Sequence, residues 1–197
     1  MSEPVVRNTE RTRRAVLDAA AELLSQKGAG LTLVDVATEA GVSKSGLLHH
    51  FSSRDALLLE VLRDAQSRLR SQVLQNLDLS ENTPGKMLRA YVRTLCGDDT
   101  SLPDLLSATP FWLGIEGVPG AQESEAQNQL WWNEQLLADG LDPTLVRIVR
   151  RAAEGLAAGR AYGDESADAV RMAGRTLVRL TLEPPELPAA PGDAGAG

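Results

Sequence analysis

The chain has 197 residues, of which 43% are hydrophobic, and a net charge of −7. This composition predicts a folded globular protein with its own core, and it excludes a membrane span, because no run reaches about 18–20 consecutive apolar residues. The first 14 residues are polar and carry four arginines, unlike a secretory signal peptide. Cys96 is the single cysteine, so a disulfide within the chain is excluded. We therefore expect a cytoplasmic protein that is not associated with a membrane.

The charge is unevenly distributed along the chain. Residues 1–55 contain seven basic and seven acidic side chains, so all of the excess acid lies beyond position 55. A DNA-binding surface needs a local cluster of basic groups and does not need a basic protein. The negative net charge is therefore compatible with a DNA-binding segment near the N-terminus.

Helices are predicted along the whole chain, because no segment alternates apolar and polar residues with a period of two. Thr32 and Asp35 have the spacing of a capping box, and Ser53 and Asp142 are further N-cap residues. Thr83, followed by a first-turn proline, is expected to cap the fifth helix. The predicted helices span residues 10–27, 32–40, 43–50, 54–77, 84–96, 102–114, 121–138, 143–162 and 165–182.

The segment 31–51, LTLVDVATEAGVSKSGLLHHF, has the pattern of a helix-turn-helix. Ala37 is small enough for two helices to approach closely, and Gly41 can adopt the positive φ that the turn requires. Val42 and Leu47 are apolar and are expected to anchor the second of these helices in the core. The beginning of that helix is then directed outward, as in helix-turn-helix proteins that enter the major groove of DNA.

Several side chains of this segment suit contact with DNA. Lys44 can neutralise a phosphate or donate to guanine, and Thr32 lies at a helix N-terminus, which favours phosphate oxygens. Arg54 is expected to hold the backbone of the opposite strand, and the N-terminal arginines to contact phosphates or the minor groove. The predicted DNA-binding residues are Arg11, Arg13, Thr32, Ser43, Lys44, Ser45, Gly46, Leu48, His49, His50 and Arg54.

Residues 11–62 resemble the N-terminal signature of the tetracycline-repressor (TetR) family. The third helix of that family usually reads Leu, Tyr, any residue, His, Phe. This chain has LLHHF at 47–51, so Leu48 replaces the tyrosine, whereas His50 and Arg54 match the family pattern. The resemblance implies a two-domain helical homodimer whose C-terminal domain binds a small molecule, and that binding releases the protein from its operator.

The predicted architecture is an all-α fold in which a three-helix helix-turn-helix domain is joined by a long fourth helix to a C-terminal helical domain. Residues 1–9 form a flexible arm, 10–55 the DNA-binding domain, 56–182 the effector-binding and dimerisation domain, and 183–197 a disordered tail rich in Pro, Ala and Gly. The predicted function is a ligand-responsive regulator, most simply a repressor bound as a dimer to a palindromic operator. The alternative is a DNA-binding regulator without a ligand, either constitutive or an activator.

An effector pocket is predicted where aromatic residues concentrate. Five of the chain's seven Phe, Trp and Tyr residues lie between positions 91 and 132, and small-molecule sites are mostly apolar with a few polar groups. Ordinary core packing is the alternative for each aromatic side chain, and burial as a small apolar residue is the alternative for the cysteine. The predicted pocket residues are Tyr91, Cys96, Phe111, Trp112, Glu116 and Trp131.

Two apolar stripes on the last two helices, with residues three and four apart, predict a dimer interface built as a four-helix bundle. Packing within one subunit is the alternative. The predicted interface residues are Leu145, Val149, Ala152, Leu156, Gly159, Val170, Ala173, Leu177 and Leu180.

Enzymatic activity and a metal site are not expected. His49 and His50 point about 100° apart on a helix, and no third ligand lies nearby in the sequence to complete a zinc site. Both histidines belong to the helix-turn-helix, which leaves none for acid–base catalysis in the C-terminal part. No cofactor is predicted, and the expected partners are double-stranded operator DNA, an unidentified small-molecule effector and a second copy of the chain.

Overall fold

The computed structural model of the protein describes residues 3–97, 115 and 117–186, without the side chains of residues 3–8 and 29. Across these residues the secondary structure is helical, with no β-strand, so the predicted all-α fold class is confirmed. No helix in this part of the chain is long and apolar enough to cross a membrane. The α-helices are α1 (Glu3–Lys27), α2 (Leu33–Glu39), α3 (Lys44–His50), α4 (Arg54–Gln75), α5 (Lys86–Cys96), α6 (Ala121–Leu137), α7 (Pro143–Tyr162) and α8 (Ala167–Leu182).

Side-chain caps set the starts of the short N-terminal helices. Thr32 and Asp35 form the predicted capping box, in which the Thr32 hydroxyl accepts from the backbone N–H of Asp35 at 3.2 Å and the Asp35 carboxylate accepts from that of Thr32 at 3.0 Å. The hydroxyls of Ser43 and Ser53 cap α3 and α4 by accepting from the backbone N–H groups of Gly46 and Ala56. Each of these caps satisfies a backbone donor that a helix start otherwise leaves unpaired.

Two helix starts differ from the prediction. Helix α1 begins at Glu3, seven residues before the expected start at position 10. Helix α5 begins at Lys86, with Gly85 as its N-cap at φ +90°, so the predicted cap at Thr83 is wrong. The carboxylate of Asp139 accepts from the backbone N–H of Met87 at 2.5 Å, so a residue from the end of the α6 region supplies this cap. The helix predicted at 102–114 and positions 187–197 of the tail lie outside the described residues.

Helix α4 contributes to two separate hydrophobic cores. Its first half, from Leu57 to Ala65, packs with α1, α2 and α3 in the N-terminal core, which also contains Phe51. Its second half, at Leu69 and Val73, packs with α5, α6, α7 and α8 in the C-terminal core. A single continuous helix therefore connects the N-terminal helices to the rest of the chain.

The turn before α6 is a second connection between the two parts of the molecule. Ile115, Val118 and Ala121 are buried in the N-terminal core together with the first half of α4, although they come much later in the chain. Gly120, at φ +83°, lies against the side chain of Leu59. The beginning of α6 is therefore packed directly against the N-terminal helices.

Candidate functional sites

The helix-turn-helix has the geometry that its sequence predicts. Gly41 adopts φ +65° in the turn, and the backbone N–H of Val42 donates to the carbonyl of Ala37 at 2.9 Å. Ala37 and Leu47 are buried. These contacts fix α3 across α2 and present the start of α3 to solvent.

One surface of the N-terminal helices combines hydroxyl, ammonium, imidazole and apolar groups. Ser43, Lys44, Ser45 and His49 are exposed on α3, and Thr32 is exposed at the start of α2. The hydroxyls of Thr32 and Ser43 accept backbone hydrogen bonds as caps, and both remain exposed at helix N-termini. The two hydrogen bonds from Thr32, from its hydroxyl first and its backbone second, lower the pKa of the Asp35 carboxyl, which stays ionised at neutral pH.

Leu48, the residue in place of the family's tyrosine, is 40% exposed on α3, and Val34 on α2 is 54% exposed. Gly46 precedes Leu48 by two residues on α3, and a Cβ at Gly46 would meet only the Ser43 hydroxyl, at 3.2 Å. The outward surface of α2 and α3 is thus partly apolar. An apolar side chain can contact the methyl group of thymine in the major groove.

Arg13, His50 and Arg54, which the sequence predicts as DNA-binding residues, make contacts within the chain. The Nε–H of Arg54 donates to the carbonyl of Leu31 at 3.0 Å, which ties the start of α4 to the segment before α2. Arg13 forms an ion pair with Glu60, and its guanidinium lies 5.5 Å from the centre of the Phe51 ring. His50 is half-buried against the same ring, and the side chain of Arg11 is exposed.

The predicted effector pocket is only partly described by the structure. Phe111, Trp112 and Glu116 lie outside the described residues. Tyr91 is buried, with its hydroxyl donating to Glu154 at 2.9 Å, and burial raises the pKa of its phenol. The ring of Tyr91 packs edge-on against that of Trp132 at 4.7 Å between centres, so Tyr91 is a core residue.

The guanidinium of Arg70 covers the ring of Trp131, 4.5 Å from the ring centre. Arg150 lies 5.9 Å from the centre of the Tyr91 ring. Both aromatic rings therefore have a cationic group of the same chain near one face.

A cavity of about 300 Å³ lies between α5 and α8 and contains one of the predicted pocket residues, Cys96. Its apolar walls include Val92, Gly174 and Val178. The thiol of Cys96 is buried, and this burial raises its pKa to about 11, against the opposing charge of Arg160. At neutral pH the thiol is therefore protonated and unreactive.

A second cavity of about 280 Å³ lies between the end of α6 and the start of α7, and is lined by Leu137, Val146, Arg147, Arg150 and Arg151 among others. No cluster of three or more His, Cys, Asp or Glu side chains suited to a metal ion occurs among the residues that the structure describes.

The predicted dimer stripe is partly wrong, because four of its residues are used inside one chain. Leu145, Val149, Val170 and Leu177 are between 0% and 9% exposed and belong to the C-terminal core. A helix stripe with spacings of three and four predicts burial, but it does not tell whether the covering helix belongs to the same chain. Ala152, Leu156, Gly159, Ala173 and Leu180 remain partly exposed.

Sequence reasoning missed a polar network between α4, α6 and α7. Arg70 donates to the buried Asn128 at 2.8 Å, and Gln66 donates to Glu125 at 3.0 Å. Arg150, itself buried, donates to Asn133, Gln129 and Glu154 at 2.8, 2.6 and 2.9 Å. The sequence does not mark this network, because Asn128 lies between Gln127 and Gln129 and Arg150 precedes Arg151, as residues of a solvent-facing helix surface would.

These observations define a class of protein: a helix-turn-helix DNA-binding regulator with a separate helical C-terminal core. Family models match both parts, "Bacterial regulatory proteins, tetR family" over residues 16–61 and "Tetracyclin repressor-like, C-terminal domain" over residues 85–181. The chain belongs to the TetR family of transcriptional regulators. The resemblance noted in the sequence is thereby confirmed.

Individual relatives agree with this assignment. The chain is 31% identical over 152 residues to the HTH-type transcriptional regulator BetI of Agrobacterium fabrum, an alignment that covers 74% of this chain and 71% of BetI. A solved TetR-family regulator from Rhodococcus sp. superposes with a TM-score of 0.70 at 22% identity, over 87% of this chain and 98% of that one. The multidrug binding protein EbrR, solved with malachite green, superposes with a TM-score of 0.61 at 29% identity, over 85% and 96% of the two chains.

Proposed function

We propose that this protein is a ligand-responsive repressor that acts in the cytoplasm, binds a palindromic operator as a homodimer and is released by a small molecule. The single observation that carries the proposal is the outward-facing start of α3, held rigidly by the helix-turn-helix and joined through α4 to a domain with cavities. EbrR, a relative with the same fold, was solved with malachite green bound, which supports a small-molecule role for the C-terminal domain.

The proposed DNA contacts come from the exposed surface of α2 and α3. Lys44 and the hydroxyls of Ser43 and Ser45 contact phosphates or base edges, and Thr32 contacts a phosphate at the N-terminus of α2. Leu48 and Val34 supply apolar contacts, which favour thymine methyl groups over a phosphate. The contact that a tyrosine would make in relatives is thus replaced by an apolar one.

One route of signal transfer to the DNA-binding helices is proposed to run through α6. The start of α6 packs in the N-terminal core through Val118 and Ala121, and the body of α6 bonds to α4 through Gln66 and Arg70. A ligand that moves α6 relative to α7 is therefore expected to displace α4 at two contacts, one in the N-terminal core and one at the hydrogen bonds of Gln66 and Arg70. Release from DNA requires that the ligand prefers the shifted state, since only differential affinity moves such an equilibrium.

The homodimer is proposed to form through the exposed faces of α7 and α8. Ile148 is 52% exposed and Met172 is 70% exposed, and both lie on helices whose opposite faces are buried. On the same two helices the partly exposed small residues Ala152, Gly159 and Ala173 allow close approach of a second helix pair. A two-fold axis through this face gives a four-helix bundle, and in helix-turn-helix dimers the two recognition helices meet half-sites about 34 Å apart, one turn of DNA.

The test begins with selection of bound sequences from a random double-stranded DNA library. The expected result is an inverted repeat that binds two chains, with half-sites about 10 base pairs apart or slightly more. Ile148→Glu is expected to give a monomer with weak operator binding, whereas Leu79→Glu, at a residue 79% exposed on the loop after α4, leaves the dimer intact. Selected sites without symmetry would contradict the dimer proposal.

The ligand dependence is tested separately on the selected operator, by fluorescence anisotropy of labelled DNA in the presence of a compound library. At least one compound is expected to release the DNA and to change tryptophan emission from Trp131 and Trp132. A library in which no compound does either would favour the alternative of a regulator without a ligand.

A further inference from the structure

The cavity between α5 and α8 is amphipathic, with an apolar wall and a cationic rim. Val92, Cys96, Gly174 and Val178 form the apolar part. Three guanidinium groups, those of Arg93, Arg171 and Arg175, line the same cavity. Three of the eight residues that line this cavity are arginines, although the chain as a whole has a net charge of −7. The positive charge is therefore a local property of the cavity.

The positive charge of the rim is only partly neutralised. Arg93 lies 3.9 Å from one oxygen of Glu81, while the other oxygen of the same carboxylate lies 2.7 Å from Nε of the fully buried Arg89. Arg171 pairs with Asp168 on its own helix. Arg175 is exposed and forms no ion pair or hydrogen bond with the described residues. Among the residues that the structure describes, the Glu81 carboxylate is thus shared by two guanidinium groups, and Arg175 has no acidic partner.

We propose that this cavity binds a small amphipathic carboxylate, and that this compound is the effector. A guanidinium matches a carboxylate through two parallel hydrogen bonds, so Arg175 and Arg93 can hold the acid group at the rim. The apolar body lies along Val92 and Val178. A cavity of about 300 Å³ holds roughly ten non-hydrogen atoms at the about 30 Å³ that a water-sized group occupies. The inference rests on the proposed ligand-responsive function and names its ligand class.

A cationic ligand is disfavoured by the same structure. The aromatic rings that attract cations, those of Trp131 and Tyr91, already have Arg70 and Arg150 near their faces. In the second cavity Arg150 is bonded to three side chains and Arg151 pairs with Glu154, which leaves Arg147 as the guanidinium without a partner among the described residues. The α5–α8 cavity is the stronger candidate for an anion, because it combines Arg175 with Arg93, whose nearest carboxylate oxygen in the described residues is 3.9 Å away.

Ligand in this cavity has a route to the DNA-binding helices. Thr94 on α5, which precedes Cys96 by two residues, accepts a hydrogen bond from the side-chain amide of Asn76 at the end of α4, at 3.0 Å. Helix α5 also packs along α8, α7 and α4 in one core. Displacement of α5 by an occupant is therefore transmitted to α4.

The experiment is calorimetric titration of the full chain with octanoate, with octanamide and octylamine as neutral and cationic analogues of the same length. Octanoate is expected to bind and the two analogues to bind at least tenfold more weakly, because each lacks the charge that the guanidinium groups select. Octanamide or octylamine binding as tightly as octanoate would overturn the inference.

Variants locate the binding. Arg175→Gln and Arg93→Gln are each expected to weaken octanoate binding about tenfold, the loss typical of one charge-assisted hydrogen bond. Arg179→Gln makes the same change of charge at an exposed residue of α8 that does not line the cavity, and is expected to bind like the wild type. Equal weakening by all three variants, or by none, overturns the assignment of this cavity.

Operator release then separates the two proposals. Octanoate that binds in the cavity and releases labelled operator supports both. Octanoate that binds there without releasing DNA overturns its role as effector. Release by some other compound, with no binding of octanoate or of hexanoate, overturns the carboxylate site while the ligand-responsive function stands.

Discussion

Gly174 on α8 and Cys96 at the end of α5 meet so closely that no side chain fits between them: a Cβ at Gly174 would lie 2.5 Å from the Cβ of Cys96. The same Cβ would lie 3.5 Å from the sulfur, so the obstruction comes from the part of Cys96 that every residue except glycine carries. This glycine sets the distance between α5 and α8, and with it the width of the cavity beside them.

Gly174→Ala is therefore expected to lower the free energy of unfolding by about 1–3 kcal/mol, the range for overpacking a filled core. Chemical denaturation measures the change. Gly117→Ala is the control, because a Cβ there meets nothing within 4 Å. Adding Cys96→Ala to Gly174→Ala is expected to leave the loss in place, since alanine keeps the obstructing Cβ. Recovery of stability in the double variant would show that the sulfur is responsible instead.

Cys96 is expected to be unreactive in the folded protein. Burial raises the pKa of its thiol from 9.0 to about 11, so at pH 8 its thiolate fraction is roughly a hundredfold lower than that of an exposed thiol. Reaction with a disulfide reagent is expected to be slow without denaturant and fast with it. Equal rates in both conditions would contradict burial.

The same shift predicts a dependence of stability on pH. At neutral pH and below, the thiol is protonated in both the folded and unfolded states and contributes no slope. Between about pH 9 and 11 the unfolded chain loses this proton and the folded chain keeps it, so stability falls as pH rises. The slope is expected to be shallower in Cys96→Ala, measured by denaturation at several pH values. Identical slopes in wild type and variant would refute the shift.

The predictable parts of the fold were those determined by local interactions. The starts of α2, α4 and α7 follow from Thr32, Ser53 and Asp142, whose side chains cap backbone groups two or three residues away. The start of α5 was missed because its cap comes from Asp139, 52 residues from the N–H it accepts. A distant partner of this kind has no signature in the local sequence.

The predicted sites differ in the same way: those set by local sequence were predicted, and those set by contacts between distant helices were not. The exposed positions of α3 followed from a turn pattern that fixes orientation. The role of Tyr91 did not, because its contacts with Trp132 and Glu154 depend on how α5, α6 and α7 pack together. Helix periodicity likewise identified Val149 and Val170 as covered residues, but the cover is provided by the same chain.

Asn128 is expected to be important for stability, because it is buried and accepts two hydrogen bonds from Arg70, at 3.2 and 2.8 Å. Asn128→Ala leaves a partly buried guanidinium without this acceptor, at a cost of about 1–3 kcal/mol in the free energy of unfolding. The matched control is Gln127→Ala, exposed on the same helix, with an expected change within about 0.5 kcal/mol. Similar losses in both variants would mean that helix propensity, and not the link to α4, is responsible.

Arg54 is expected to act on DNA binding through the fold. Its Nε–H donates to the carbonyl of Leu31, and loss of that bond in Arg54→Ala is expected to cost about 1 kcal/mol of stability. Operator affinity falls as well, because the entry to α2 is loosened, but the salt dependence of binding stays unchanged. A salt slope shallower by about one unit would instead identify Arg54 as a direct phosphate contact.

Lys44 is expected to show the opposite pattern. It is exposed at the first position of α3, and no ion pair with the described residues holds it. Lys44→Ala is expected to leave the free energy of unfolding within about 0.5 kcal/mol of wild type and to weaken operator binding. The slope of log affinity against log salt is expected to become shallower by about 0.9, the value for one phosphate contact. Lys86→Ala, at a lysine on α5, is the control and is expected to keep both affinity and slope.

A Lys44→Ala protein with wild-type affinity and slope would show that Lys44 does not contact DNA. A weaker affinity with an unchanged slope, together with relaxed sequence preference at one position, would place its ammonium on a base edge instead of a phosphate.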